Sequence, residues 1–421
     1  MELRNDIFVI ETQDDRNIIY SPLRSAVFFV NPSGRTIVQK YIDTKVLSDE
    51  EKDTKVCDYL RKLEKIEPKI PKENGINMGS RLVIILSQLC NLACTYCYAQ
   101  ESRSKEILSK EKLQKIIDYV LSQPNDEKKR FSFIGGGEPT ATWDLLEWAI
   151  KYIDTSKKEG QKVHYSITTN GTLLSDEKIN FLKEHKVRVG ISFEILPEIQ
   201  NIQRKYANPK LKSFDVVNST IQQLIVNEIP YSFRSTITKR NVGLMKDMVI
   251  FVSENYKNIK RLHFEQVTDI QDNDTKFYDD FIINFFEARK IGKEKGIEVY
   301  NSISNSVNSL RTRFCRGEFC VVPTGDIVSC HRVSSDKESS FDSFNFGHID
   351  EQICIDNAKI EKVLNVAKSK KQECNTCFAK WHCAGGCILE QFVHSKEQQS
   401  HKCNFTKKII VKILEEQLIT H

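Results

Sequence analysis

Leu86-Ser-Gln-Leu-Cys-Asn-Leu-Ala-Cys-Thr-Tyr-Cys-Tyr98 is the stretch on which the reading of this chain turns. It continues the apolar run Leu82-Val-Ile-Ile-Leu86, which reads as a buried strand. Cys90, Cys94 and Cys97 then bring three thiols around one small inorganic object on a single loop. A structural zinc site takes four ligands, and no fourth cysteine or histidine lies nearby in sequence. A [4Fe–4S] cluster held by three thiolates keeps one iron open for a non-protein ligand. Taken alone, the three cysteines also fit buried thiols or part of a zinc site.

Working outward, strands alternate with amphipathic helices from Arg81 to about Lys293. Strands are expected at Leu82–Leu86, Arg130–Ile134, Val163–Thr168, Val187–Phe193, Tyr231–Thr238 and Arg261–Val267. Helical patterns fill the gaps: Ser109–Leu121, Trp143–Ile153, Asp176–Glu184, Phe214–Val226, Val242–Glu254 and Lys276–Lys293. Six βα units predict an α/β fold with a parallel sheet, open or partly closed. Site residues of such a sheet gather at the carboxyl ends of its strands, and the cysteine loop follows the first strand.

Further motifs fall at the same edge. Gly135-Gly-Gly-Glu-Pro-Thr140 follows the second strand, and its glycines let backbone approach a ligand closely. Asn170 lies in Thr168-Thr-Asn-Gly-Thr172, Ser192 ends the fourth strand, and Arg204 stands twelve residues beyond it. Together the motifs resemble the radical S-adenosylmethionine (SAM) family, with Tyr96 as the aromatic residue before the last cysteine. The resemblance implies a partial (β/α)6 TIM-like barrel. It also implies that Gly136, Gly137 and Glu138 contact the SAM amino group, while Ser192 and Arg204 hold ribose and carboxylate. A guanidinium suits a carboxylate through paired hydrogen bonds. Val267, ending the sixth strand, matches a backbone contact to adenine. Ser192-Phe-Glu-Ile stands where many relatives read Ser-Leu-Asp-Gly, so Glu194 carries its carboxylate on a longer arm.

Cys315, Cys320, Gly325 and Cys330 precede Cys374-x2-Cys377-x5-Cys383-x3-Cys387-x15-Cys403. This order resembles the SPASM extension, position by position. The resemblance implies that Cys315, Cys320, Cys330 and Cys387 hold one auxiliary [4Fe–4S] cluster, and Cys374, Cys377, Cys383 and Cys403 another. Three clusters are then expected in all, the auxiliary pair closed by four thiolates each. Read without the family, the same eight cysteines make two zinc sites. Cys57 and Cys354 fall outside the three sets and read as ordinary thiols.

Residues 1–75 form a separate small module: Asp6–Glu11, Asn17–Tyr20 and Ala26–Val30 read as strands, followed by a helix from Asn31 to Ile42 and another from about Ser48 to Lys65. The pattern resembles the winged-helix-like α+β module that binds leader peptides; a structural cap is the plainer reading. A linker leads to the radical SAM core at 80–300 and a loop-rich SPASM domain at 305–421, which ends in an apolar-striped docking helix from Lys407 to Ile419.

Among 421 residues, 62 basic against 57 acidic side chains leave a net charge of +5, too weak an excess to argue for nucleic acid. No apolar run reaches the length of a membrane span. The N-terminus shows no signal peptide, and thirteen cysteines without an export signal point to metal or redox chemistry in a reducing cytoplasm.

The resemblance implies reductive cleavage of SAM to a 5′-deoxyadenosyl radical that abstracts hydrogen from an unactivated carbon. An external one-electron reductant, a flavodoxin or ferredoxin, would feed it. SPASM relatives mostly modify peptides, so a ribosomally made precursor peptide with a leader is the expected substrate. An oxidative crosslink, such as a thioether, is the preferred product, since closed auxiliary clusters would accept the second electron. Sulfatase maturation to formylglycine and peptide epimerisation are the alternatives. Sulfatase-maturing relatives carry an aspartate where this chain has His331, which is the candidate proton acceptor here. An iron–sulfur electron carrier would need no SAM pocket.

Overall fold

The computed structural model describes residues 1–12, 16–47, 55–73, 75–100, 102–124, 128–208, 210–268 and 274–419. The N-terminal strands β1 (Phe8–Glu11), β2 (Asn17–Ser21) and β3 (Ala26–Val30) form an antiparallel sheet in chain order. Alternation along β2 sends its side chains to two different cores. Ile19 joins Val30, Val38, Tyr41, Leu60 and Leu63 in a small local core, whereas Ile18 and Tyr20 join the main one. Helix Pro32–Thr44 starts where the Asn31 side chain accepts from the Gly34 N–H at 2.9 Å. The next helix is Lys55–Glu64; the expected start near Ser48 lies outside the described residues.

The six expected strands form as β4 (Arg81–Ile84), β5 (Lys129–Phe133), β6 (Val163–Thr169), β7 (Arg188–Ser192), β8 (Tyr231–Ile237) and β9 (Arg261–Gln266). Each pairs in parallel with the next. Leu82, Val83 and Ile84 are fully buried, as a parallel strand covered on both faces requires. Side-chain caps start several flanking helices, among them Ser109 on Lys112, Ser175 on Lys178 and Asp274 on Phe277.

The sheet extends beyond the six units at both edges. Strand β10 (Glu298–Tyr300) adds in parallel to β9. At the other edge β11 (Cys320–Val321) pairs in parallel with β4, setting Cys320 beside Val83. From it β12 (Asp326–Val328), β13 (Asn345–Ile349) and β14 (Ile353–Ile355) continue antiparallel, giving eleven strands in one sheet.

The C-terminal third is less loop-rich than its sequence suggests. Helices Asn357–Glu373 and Lys396–Ile419 flank the cysteine loops, and the latter begins eleven residues before the expected Lys407. It packs against helix Thr275–Glu294 and β3, burying Phe405, Ile409, Ile410, Ile413 and Leu414. The N-terminal sheet also meets the cysteine loops directly. Tyr20 hydrogen-bonds His382, and Lys380 donates to the Asn5 carbonyl at 3.4 Å.

Candidate functional site

The loop after β4 is pinned by backbone at several points. Ala93 N–H donates to the Lys205 carbonyl at 2.8 Å and Thr95 N–H to that of Gln203 at 2.9 Å. Arg103 donates to the Leu92 carbonyl at 2.9 Å and to the Cys97 sulfur at 3.3 Å. Burial pushes the Cys94 thiol up to about 11; Arg204 pulls it back, and neighbouring Cys97 and Cys90 add to the rise. The three thiols are thus mutual electrostatic neighbours facing two guanidinium groups.

The glycine-rich turn after β5 lies against this loop. A Cβ on Gly137 would fall 2.1 Å from the Leu89 carbonyl oxygen, and one on Gly136, where φ is +59°, 2.6 Å from Ile85. Glu138 N–H bonds the Leu89 carbonyl at 2.7 Å. The Glu138 carboxylate accepts from Thr140 Oγ1 at 2.6 Å, Thr169 Oγ1 at 2.5 Å and Asn170 N–H at 2.7 Å. Asn170 Nδ2 donates to Asn91 at 3.0 Å beside Cys90. The ends of β4, β5 and β6 are therefore locked together.

On the other side, Arg204 Nη1 donates to the Tyr96 hydroxyl at 2.8 Å, and Tyr96 donates to Glu194. The buried Glu194 carboxylate also accepts from Ser235 Oγ at 2.6 Å and Thr236 N–H at 3.0 Å, and stands 3.9 Å from Arg204. Burial pushes its carboxyl up, and Arg204 opposes that rise. Its longer arm makes it a support behind Tyr96 and Arg204, outside the cavity lining.

A cavity of about 410 Å³ runs along this edge. Of the residues singled out from sequence, Cys90, Cys94, Tyr96, Cys97, Gly136, Gly137, Glu138, Asn170, Ser192, Arg204, Val267 and His331 line it. So do Cys374, Cys383, Cys387 and Cys403. Cys315, Cys320, Cys330 and Cys377 lie outside the lining. By electrostatic neighbourhood the C-terminal thiols fall into two groups. Cys330 feels Cys387 and Cys315, and Cys320 feels Cys330. Cys383, pushed up to about 12 chiefly by burial, feels Cys403, Cys374 and Cys377. Among the described residues no three cysteine, histidine or acidic groups close on a point able to hold a single metal ion.

Some residues lining the cavity carry orphaned buried polar atoms. Arg204 Nε and Gln266 Oε1 have no partner, and both residues line the cavity. Such atoms are rare unless a ligand or water satisfies them. His331 Nδ1 pairs with Glu318 Oε2 at 2.7 Å, and the His331 N–H donates to the same oxygen at 2.9 Å. Burial pushes the Glu318 carboxyl up, but His331 and Arg81 outweigh it and hold it at about 2.

Several polar wall residues carry no motif and escape a sequence reading: Arg103, Arg234, Glu265, Gln266, Ser302, Arg332 and His394. Strand-end position was the available signal for Glu265 and Gln266. Glu265 accepts from Ser302 Oγ at 2.5 Å and pairs with His263 at 2.7 Å.

Residues 84–238 match the family model for the Radical SAM superfamily. An uncharacterized protein of Methanocaldococcus jannaschii is 30% identical over 171 residues, 41% of this chain and 57% of that protein. The radical SAM cyclopropyl synthase TigE of Paramaledivibacter caminithermalis is 23% identical over 82% of this chain and 76% of its own. A cysteine-type anaerobic sulfatase-maturating enzyme of Clostridium perfringens is 24% identical over 77% of this chain and 92% of its own. The solved structure of native anSMEcpe with bound AdoMet and Kp18Cys peptide superposes with a TM-score of 0.66 at 22% identity, covering 81% of this chain and 98% of that one. The shared fold extends well beyond the residues of the family match. No helix among the described residues is long and apolar enough to cross a membrane. The parallel sheet, the cysteine loop at its carboxyl edge and the family match lead to one conclusion: this chain carries a Radical SAM superfamily domain.

Proposed function

We propose that the chain is a radical SAM peptide maturase with a SPASM-type C-terminal domain, acting on a ribosomally synthesised precursor peptide to form a thioether or other side-chain crosslink. One observation carries the reading: a single cavity is lined by the Cys90/Cys94/Cys97 loop and by members of the C-terminal cysteine sets. A carrier of electrons alone needs no such cavity. SAM on an open [4Fe–4S] cluster would supply a carbon radical able to take hydrogen from an unactivated C–H.

The chain's own residues do the rest. Cys90, Cys94 and Cys97 hold the first cluster, Cys315, Cys320, Cys330 and Cys387 the second, and Cys374, Cys377, Cys383 and Cys403 the third. Arg204, positioned by Tyr96 and Glu194, takes the SAM carboxylate. Gly136, Gly137 and Glu138 offer the groups for its amino end, Asn170 and Ser192 flank the ribose, and backbone near Val267 meets the adenine. The N-terminal module, 1–75, receives a leader segment, and a flavodoxin or ferredoxin supplies electrons in the cytoplasm. Similarity to a sulfatase-maturating enzyme, and to anSMEcpe solved with a bound peptide, supports a peptide substrate.

Sulfatase maturation is the second reading, favoured by one observation: His331 faces the cavity with Glu318 fixing its Nδ1, a carboxylate-backed proton acceptor beside the candidate cluster thiol Cys330.

Anaerobic reconstitution with iron and sulfide counting, then SAM and a reductant, tests the proposal. About twelve irons per chain with 5′-deoxyadenosine released is the expected result; zinc, or no SAM cleavage, overturns it. With a cysteine-bearing precursor peptide as substrate, loss of two hydrogens with sulfur retained marks a thioether. Loss of two hydrogens together with exchange of the cysteine sulfur for oxygen marks formylglycine.

A further inference from the structure

The wall between the two C-terminal cysteine sets holds a polar feature that the reading above leaves unused. His394 follows the helix Ile388–Val393, and its backbone is held on both sides. Its N–H bonds the Glu390 carbonyl at 3.0 Å, and its carbonyl accepts from Gln399 at 3.1 Å. The residue is 8% exposed, lines the cavity, and has both ring nitrogens buried without a hydrogen-bond partner. Arg332 lines the same cavity with its Nε also buried and unpartnered. Arg332, Glu390 and Lys402 all act electrostatically on the His394 ring.

A neutral imidazole presents one N–H donor and one acceptor nitrogen. Leaving both unmade in a buried place is costly, so a ligand or ordered water is called for. A bound peptide backbone offers both matching groups, a carbonyl of one amide to accept and an N–H of another to donate, and a further carbonyl can take the Arg332 Nε–H. A carboxylate would leave the acceptor nitrogen unmet and would face Glu390. Resting on the peptide-maturase reading, we propose that His394, with Arg332, forms a subsite that clamps backbone amides of the peptide substrate against the wall between Cys387 and Cys403. His394 is then a positioning residue, indifferent to the side chains of the bound segment.

The test uses full-length, anaerobically reconstituted, SAM-loaded protein. The probe is an N-acetylated, C-amidated decapeptide library with a central cysteine and no acidic residues. Binders are isolated by rapid gel filtration, identified by mass spectrometry, and titrated against wild type, His394→Phe, His394→Ala and His394→Gln. Iron content and thermal unfolding check that each variant is folded. We expect affinity to fall about tenfold or more in the Phe and Ala variants and to stay within about threefold in the Gln variant, whose amide restores a donor and an acceptor. Equal affinity in all four proteins overturns the subsite and points to water as the partner of His394, while leaving the peptide reading in place. Capture only from a second library that includes aspartate and glutamate overturns the amide assignment in favour of a carboxylate. Failure of the wild type to capture peptide from either library overturns the subsite and the peptide reading together.

Discussion

Arg204 reaches the Tyr96 hydroxyl at 2.8 Å while its own Nε stays buried without a partner. Tyr96 stands between Cys94 and Cys97, so the guanidinium proposed to hold SAM is tied to the thiol loop itself. Glu194, accepting from Tyr96, completes the relay. Tyr96→Phe should leave the cysteines intact but free the guanidinium to turn toward Glu194. We expect SAM affinity, measured by anaerobic equilibrium dialysis, to weaken about tenfold, the ~1.4 kcal/mol of one hydrogen bond to a charged group. Iron content should not change. Unaltered affinity would mean that Arg204 is held by other contacts.

Gly137→Ala tests the packing of the glycine turn. The added Cβ would meet Leu89 O at 2.1 Å and Gln88 C at 2.5 Å, both backbone atoms that cannot rotate away. Relief requires moving the residue immediately before Cys90. Reconstituted protein should therefore lose about four of its expected twelve irons and all SAM cleavage, with the C-terminal sets still loaded. Full iron content would show that the loop can shift without losing its ligand geometry.

The crossing of the C-terminal cysteines is open to an additivity test. Cys387 is an electrostatic neighbour of Cys315, whereas Cys403 neighbours Cys377 and Cys383. Cys387→Ala and Cys403→Ala should each cost about four irons, and the double variant about eight. If the double variant lost no more than either single one, the two cysteines would serve one site.

Glu265 gives a pH-dependent prediction. Burial would raise its carboxyl, but the hydrogen bond and charge of His263, with Arg234 and Ser302, outweigh burial and hold it far below the usual range. A carboxyl depressed on folding contributes stability that is complete above its unfolded value of ~4.3 and fades as pH falls through its folded value. Glu265→Gln should thus lower unfolding stability by about 2 kcal/mol at pH 5.5, and urea titrations should show that gap narrowing as pH falls from about 5 toward about 3. A gap unchanged across that range would mean that the carboxyl is not depressed on folding.

The legibility of this chain followed the scale of each feature. Long βα units show their periodicity, and all six expected strands form within a residue or two. Cys320–Val321 and Glu298–Tyr300 are too short to alternate visibly, so the extensions of the sheet were missed. Helix Asn357–Glu373 does carry Ile360, Val363, Leu364 and Ala367 at helical spacing, but within a lysine-rich stretch between cysteine sets. The first cysteine loop and the glycine turn line the cavity because chain-local spacing places them, whereas Glu194, Cys315, Cys320, Cys330 and Cys377 lie outside its lining. Arg332, His394 and Glu265 are polar residues made into a wall by partners far away in sequence, and no local pattern announces that. Glu194 was legible as a departure, but its role behind Tyr96 required the fold.

Tyr20 and His382 join the N-terminal sheet to the loop bearing Cys377 and Cys383, across 362 residues of chain. Their rings stack with centroids 5.9 Å apart, and His382 Nδ1 faces the carbonyl oxygens of Ser306 and Ser309 at 3.1 and 3.3 Å. Tyr20 thus links β2 to the buried His382 ring and, through it, to the Ser306 and Ser309 carbonyls. Tyr20→Phe keeps the ring and removes the hydroxyl, leaving His382 Nε2 buried without its partner at a cost of about 1–3 kcal/mol. If module and loop open as one unit, hydrogen exchange should rise together in β1–β3 and in residues 374–383, with β4–β9 unchanged. A rise confined to β1–β3 would show that the cysteine loop keeps its order without the N-terminal sheet, and that any signal from a bound leader must travel by another route.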